Sequence, residues 1–164
     1  NREELLQHMA DNITHRGPDS QGVYLDEQMA MAFRRLSIID LEGGNQPIEN
    51  EDGTKVLMFN GEIYNYRDLQ TELKTAGHVF KTNSDSEVLL HGYEEWGSDL
   101  LTRLRGMFAF AVWDKTEQSL FLARDFFGIK PMHYTVLPDG RLIFASEIKC
   151  ILQHPDFNWI ILSF

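Results

Sequence analysis

Three clusters of polar residues stand at strand ends or in turns of this sequence, and each offers side chains that can hold a small charged ligand. The first is Arg34-Arg35-Leu36-Ser37-Ile38-Ile39-Asp40, in which two arginines follow an apolar stretch. An arginine turned inward there needs an anionic partner, because an unpaired buried charge is prohibitively costly. A ligand carboxylate meets that need and matches the guanidinium fork in shape. Surface arginines, or a bridge to Asp40, satisfy the same residues without a ligand.

The second cluster is Asn60-Gly61-Glu62-Ile63-Tyr64-Asn65. A strand that ends in Asn-Gly sets a side-chain amide beside a bare backbone N–H. Two such donors aimed at one point make an oxyanion hole, and glycine lets a substrate come close to the main chain. The alternative is an ordinary Asn-Gly turn. The third cluster is Ser84-Asp85-Ser86-Glu87, ahead of a helix. Any of Ser84, Asp85 or Ser86 can serve as an N-cap, and an acid at that place can also hold a ligand ammonium.

Other chemistries find no support. His15, His78, His91, His133 and His154 are scattered, with no metal-ligand spacing such as His-Glu-x-x-His; His15, beside Arg16, stands in a functional-looking turn, and the others read as core or surface residues. Asp125-Phe126-Phe127-Gly128 resembles the Asp-Phe-Gly of kinases only superficially, since no glycine-rich phosphate loop accompanies it. The lone cysteine, Cys150, excludes an internal disulfide and a cysteine-based zinc site. It sits near the start of a short predicted helix and reads as a structural thiol.

The elements that must position these clusters follow from periodicity. A helix is expected over residues 2–13, with Leu5, Leu6, Met9 and Ile13 on one stripe and Asn1 and Glu4 in the pattern of a capping box. His15-Arg16-Gly17-Pro18-Asp19 stops it. Strands are expected over 22–25, 29–36, 56–59 and 79–81, with helices over 67–76, 86–96 and 99–104. Gly77 is placed to end the first of these helices. Strands over 107–113, 119–123, His133–Val136 and Leu142–Ala145 follow, joined by hairpin-length turns, and a short helix over 147–152 closes the series. Phe108, Ala109, Phe110, Ala111 and Val112 are apolar on both faces, so their sheet must be covered on both sides. The expectation is an α+β layered fold with antiparallel pairing.

Bulk properties agree. A chain of 164 residues with 43% apolar and 12% aromatic residues suits one globular domain. A net charge of −10 argues against nucleic-acid binding. No stretch is long and apolar enough to span a membrane, and cysteine usage suits a reducing, cytoplasmic setting. The chain opens at Asn1 and ends in the apolar run Trp159-Ile160-Ile161-Leu162-Ser163-Phe164; both ends read as cuts through something longer.

Taken together, seven motifs in fixed order resemble the glutaminase domain of glutamine-hydrolysing asparagine synthetase. They are His15-Arg16-Gly17-Pro18-Asp19, Arg35-Leu36-Ser37-Ile38-Ile39-Asp40, Asn60-Gly61-Glu62-Ile63-Tyr64-Asn65, Ser84-Asp85-Ser86-Glu87 and Gly106-Met107-Phe108-Ala109-Phe110-Ala111. Arg124-Asp125 with Phe127-Gly128-Ile129-Lys130-Pro131, and Ala145-Ser146-Glu147-Ile148-Lys149, complete the set. The Arg-Leu-Ser-Ile-Ile-Asp segment is similar to the asparagine-synthetase branch of class II glutamine amidotransferases. The resemblance implies an N-terminal-nucleophile hydrolase fold, a four-layer αββα sandwich with two antiparallel sheets. It implies that Arg35 grips the α-carboxylate of L-glutamine, with Leu36, Ser37, Ile38 and Ile39 lining the same pocket. Asn60 and the N–H of Gly61 would form the oxyanion hole, and Glu62 and Asp85 would hold the α-ammonium. The family's nucleophile is an N-terminal cysteine whose own α-amine acts as base. Residue 1 here is Asn, and the strand bearing that cysteine would lie just before it.

Three functions follow from the resemblance. One is the glutaminase half of an asparagine synthetase, releasing ammonia to a C-terminal synthetase domain that uses ATP and Mg²⁺, in a protein expected to form a homodimer. The second is a catalytically inactive glutamine-binding module. The third is an amidotransferase of the same branch with a different acceptor. No cofactor is expected in this domain itself.

Overall fold

The computed structural model describes residues 1–35 and 46–158. The first helix, α1 (Arg2–Asp11), is capped by Asn1, whose side chain accepts the N–H of Glu3 at 3.1 Å. It stops two residues before the expected end, and a 3₁₀ turn over Thr14–Arg16 follows. The hairpin β1 (Ser20–Leu25) and β2 (Ala30–Arg35) follows, with Ser20 opposite Arg35. Next come β3 (Ile48–Glu49), which the sequence did not suggest, and β4 (Lys55–Ile63).

β4 corrects one expectation. It was to end at Phe59, yet it runs on through Asn60 and Gly61 to Ile63, paired throughout with β5 (Gly106–Asp114). Pairing along nine residues overrides the turn preference of Asn-Gly. Gly61 permits this at close quarters: a Cβ there would lie 2.2 Å from the carbonyl oxygen of Met107.

Helices α2 (Tyr66–Ala76) and α3 (Asp85–Trp96) lie between β4 and β5, with the short α4 (Leu100–Arg103) after them. Gly77 ends α2 in the left-handed conformation, as expected of a C′ glycine. The expected strand over residues 79–81 does not form. Only Val79 and Phe80 of the three are β-prone, and Phe80 instead packs on the core. β6 (Ser119–Arg124), the hairpin β7 (His133–Val136) and β8 (Leu142–Ala145), and α5 (Ile148–Ile151) complete the elements among the described residues.

The central sheet has the order β3-β4-β5-β6, all antiparallel. Period-two alternation sorts its side chains. Leu57, Phe59, Ile63, Phe108, Phe110 and Val112 face α2 and α3 in the larger core. Val56, Met58, Ala111 and Trp113 face the other way, onto Met31, Phe33 and Phe144 of the two hairpins. The sheet is therefore covered on both faces, as its apolar strands required. α1 lies on β2 and also meets α5, which packs behind β8. The layers run α2/α3, central sheet, hairpins, α1/α5. Among the described residues the second strand layer is two separate hairpins rather than one continuous sheet. Each large buried side chain contributes about 1.5–3 kcal/mol of transfer free energy. The Trp113 indole donates to Asp26 at 2.8 Å and so fixes the first hairpin on β5. No helix among the described residues is long and apolar enough to cross a membrane.

Candidate functional site

Alternation along β2 separates the two arginines. Met31 and Phe33 face the central sheet, so Arg35 shares their side and Arg34 the opposite one. Arg34 turns to α1, donating to the carbonyl of Ala10 at 3.3 Å and to Asp11 at 2.5 Å. It is a structural bridge, as one reading of the cluster allowed, though to Asp11. Gly17 brings the turn after α1 against this strand end, since a Cβ there would meet the Arg34–Arg35 backbone at 2.4 Å.

Between the hairpins and the central sheet lies a cavity of ≈ 2080 Å³. Arg35, Asn60, Gly61, Glu62 and Asp85 all line it. These five come from β2, β4 and the first turn of α3, so the fold gathers all three sequence clusters at one space. On β4, Asn60 and Glu62 share the face of Met58, which is the face toward the hairpins. Leu36, Ser37, Ile38 and Ile39, predicted with them, lie outside the described residues, as does Asp40.

The edge of β4 is worked out in detail by its neighbours. The side-chain amide of Gln46 stands in for a strand here: its Nε2 donates to the Phe59 carbonyl at 2.7 Å and its Oε1 accepts the Phe59 N–H at 2.5 Å. Asp85 accepts the N–H of Ile63 at 3.0 Å. Residues two apart in a strand direct their N–H groups to the same edge. The N–H of Gly61 therefore lies between these two, on the side away from β5, where no strand pairs beyond Leu57 among the described residues. Nothing local in the sequence marks Gln46, because Gln-Pro reads as a turn and its partner is 13 residues on.

Ser84 resolves the third cluster's cap: its hydroxyl accepts the N–H of Glu87 at 3.2 Å. That leaves Asp85 as the first helical residue. Burial pushes the Asp85 carboxyl above the usual carboxylate range, and the charge of Glu62 adds to this against the hydrogen bond from Ile63. A partly buried carboxylate whose charge is costly, with a second acid beside it, favours a cationic ligand. Glu87 has a different task. Its carboxylate takes the N–H groups of Lys81 and Thr82, each at 2.7 Å, and closes the loop before α3.

Asp125 anchors the segment behind the site. Buried at the end of β6, it accepts from Ile129 and Lys130 at 2.9 Å each and from Phe108 at 3.2 Å. Burial works to raise its pKa, yet these backbone donors hold the carboxyl below the usual range. Phe108 stands opposite Gly61, so Asp125 steadies the strand on which Gly61 rests. Glu147 ties the turn after α1 to the start of α5 through His15 at 2.9 Å, Arg16 at 3.4 Å and Lys149 at 3.0 Å. Cys150 is buried, and burial pushes its thiol up. An activated cysteine shows the reverse shift.

A family model described as "Glutamine amidotransferase domain" matches residues 1–161. The chain is 52% identical over 159 residues to asparagine synthetase [glutamine-hydrolyzing] 2 of Bacillus subtilis (strain 168), covering 94% of the chain and 21% of that protein. It is 43% identical over 143 residues to asparagine synthetase [glutamine-hydrolyzing] of Zea mays, covering 87% of the chain and 24% of that protein. The chain thus spans about a quarter of the length of the curated relatives it matches. Among solved structures, the allosteric regulatory enzyme of purine biosynthesis superposes with a TM-score of 0.69 at 23% identity, over 92% of the chain and 40% of that structure. Glutamine phosphoribosylpyrophosphate (PRPP) amidotransferase of B. subtilis gives 0.67 at 21%, over 90% and 40%. The fold is that of the N-terminal-nucleophile hydrolases, an α+β sandwich.

Proposed function

The chain belongs to the glutamine amidotransferase domain family, and from that premise we propose that its cavity binds L-glutamine and supports release of the side-chain nitrogen as ammonia. The observation that carries the reading is the order of charge around the cavity: a guanidinium on β2, two acids at β4 and α3, and an amide with a backbone donor between. An amino-acid ligand has the matching order, with its carboxylate, its ammonium and a carbonyl beyond.

In this reading Arg35 takes the α-carboxylate through its fork. Glu62 and Asp85 take the α-ammonium, whose charge lowers the cost of their own proximity. Leu36, Ser37, Ile38 and Ile39 continue the pocket from the Arg35 side. The attacking thiol belongs to an N-terminal cysteine of the parent protein, ahead of Asn1, with its α-amine as base. When the thiol sulfur bonds to the side-chain carbonyl carbon, the oxygen becomes an oxyanion. The Asn60 amide and the Gly61 N–H are the donors for it. The carbon–nitrogen bond then breaks, ammonia departs with the proton taken from the thiol, and water cleaves the thioester to glutamate.

The acceptor is proposed as aspartate, activated with ATP and Mg²⁺ in a synthetase domain of the same parent chain, because the relatives are named asparagine synthetases. The parent protein is proposed to be a cytoplasmic homodimer. The test is glutamate release from glutamine by the parent protein, beside asparagine formation from added ammonia. Glutamine binding without glutamate release points instead to a binding module. Glutamate release with amidation of an acceptor other than aspartate points to the third reading.

A further inference from the structure

A second cluster lies on the far side of the central sheet from the cavity, and the glutamine reading makes no use of it. We propose that His78, His91 and Glu94 form a binding site for one divalent transition-metal ion of the zinc class. One ligand atom from each of the three lies within 4.8 Å of the others. His91 and Glu94 stand one turn apart on α3 and so share a face. His78 reaches them from the loop after α2, with the two imidazole rings 5.0 Å apart.

The hydrogen bonds around the cluster favour this use. The Nδ1 atoms of both rings converge on one oxygen, Glu94 Oε2, at 2.8 Å for His91 and 3.8 Å for His78. The other oxygen of Glu94 accepts the Asn50 side-chain amide at 2.7 Å, which fixes the carboxylate's orientation. His78 Nε2 meets Glu95 at 3.1 Å. His91 is 2% exposed, and its Nε2 makes no hydrogen bond among the described residues. Two carboxylates approach that nitrogen, Glu51 at 3.5 Å and Glu87 at 3.7 Å.

A neutral His91 that donates from Nδ1 to Glu94 aims the lone pair of Nε2 at those carboxylate oxygens, an acceptor facing acceptors. A metal on Nδ1 reverses this. The proton then sits on Nε2 and points at Glu51, while Nε2–H of His78 points at Glu95. Each ligand histidine gains a carboxylate behind it, the arrangement that orients histidines in zinc sites. A doubly protonated His91 also answers Glu51 and Glu94, but it gives His78 Nδ1 no part. Nitrogen and carboxylate donors together suit zinc or its neighbours rather than Ca²⁺ or Mg²⁺. With zinc at about 2.0–2.1 Å from each donor, three protein ligands leave a fourth position for water. The ion would staple the loop carrying His78 to the helix that begins with Asp85.

The experiment titrates Co²⁺ into tag-free, EDTA-stripped parent protein without ATP and follows visible absorption, with Zn²⁺ as competitor. The expected result is one Co²⁺ per chain with the bands of four- or five-coordinate cobalt, displaced by Zn²⁺. His78→Ala and Glu94→Gln are expected to lose those bands, Asn50→Ala to weaken binding about 10-fold, and His154→Ala to leave it unchanged. Replacing the buried His91 risks the fold, so His78→Ala and Glu94→Gln are the deciding variants, each checked for an unchanged circular dichroism spectrum. Absence of saturable Co²⁺ binding, or binding that survives both substitutions, overturns the proposal.

Discussion

The Asp85 carboxylate accepts the Ile63 N–H at 3.0 Å, joining the first turn of α3 to the end of β4 across 22 residues. Gln46 makes the matching contact at Phe59. Between these two tethers stand Asn60, Gly61 and Glu62. The residues proposed to act on the glutamine side chain are thus held from both ends by groups that belong to other parts of the chain.

Arg35→Ala in the parent protein is expected to lower kcat/KM for glutamine while leaving ammonia-driven amidation intact. Removing one partner of a buried charge pair costs about 2–5 kcal/mol, or roughly thirty-fold to a few thousand-fold. Steady-state assays with the two nitrogen sources decide it. An unchanged glutamine KM defeats the assignment.

Asn60→Ala removes one of the two proposed oxyanion donors. Loss of such a donor costs about 10²–10³ in kcat, with KM for glutamine little changed. A thermal melt separates chemistry from folding. Should kcat stay within a few-fold of the parent, Asn60 has no part in the chemistry.

Asp85→Asn keeps an oxygen for the Ile63 N–H and loses the charge. A hydrogen bond to a charged group contributes about 1.5–3 kcal/mol, so glutamine KM is expected to rise about ten-fold or more. The effect on stability has the opposite sign. The folded carboxyl titrates above its unfolded value, so the folded state binds more protons through that window and stability falls as pH rises across it. The Asn variant lacks this loss. Its stability relative to the parent should increase from pH 4 to pH 8 in urea titrations; a flat difference contradicts the shift.

Asp125→Ala strips three backbone N–H groups of their acceptor. Each orphaned donor costs about 1–3 kcal/mol, so a total of at least about 3 kcal/mol is expected, a fall in Tm of about 6–12 °C. The parent's Asp125 is held below its unfolded pKa. Its stabilisation is present above that unfolded value and is lost as pH falls toward the folded one. Calorimetry at pH 7 and pH 3 should show the gap between parent and variant narrowing in acid.

Much of the architecture was legible in the sequence because the signals were local. Phe108, Phe110 and Val112 alternate with Ala109, Ala111 and Trp113, and the two sets do face opposite layers. Gly77 ends its helix. That Arg35, Asn60, Glu62 and Asp85 line one cavity was not in the local signals, which left each cluster an ordinary structural reading; only the resemblance joined them. What escaped depends on partners distant in the chain. Asn60-Gly61 reads as a turn until β5 is there to pair with it. Gln46 has no local signature at all, since its role exists only opposite Phe59. His78 and His91 are 13 positions apart by numbering, a spacing that means nothing until α2 and α3 pack. Arg34 has its acid partner on α1, Asp11, 23 positions earlier in the chain.

The Gln46 contact has one more effect. A strand edge with open N–H and carbonyl groups is a template on which another chain can add a strand, the first step of edge-to-edge aggregation. β4 loses its short neighbour β3 after Leu57, yet Gln46 covers Phe59 and Asp85 covers Ile63. Among the described residues, the interval left at Gly61 is one residue wide. A peptide strand cannot register on so short a template, whereas a single oxygen atom can.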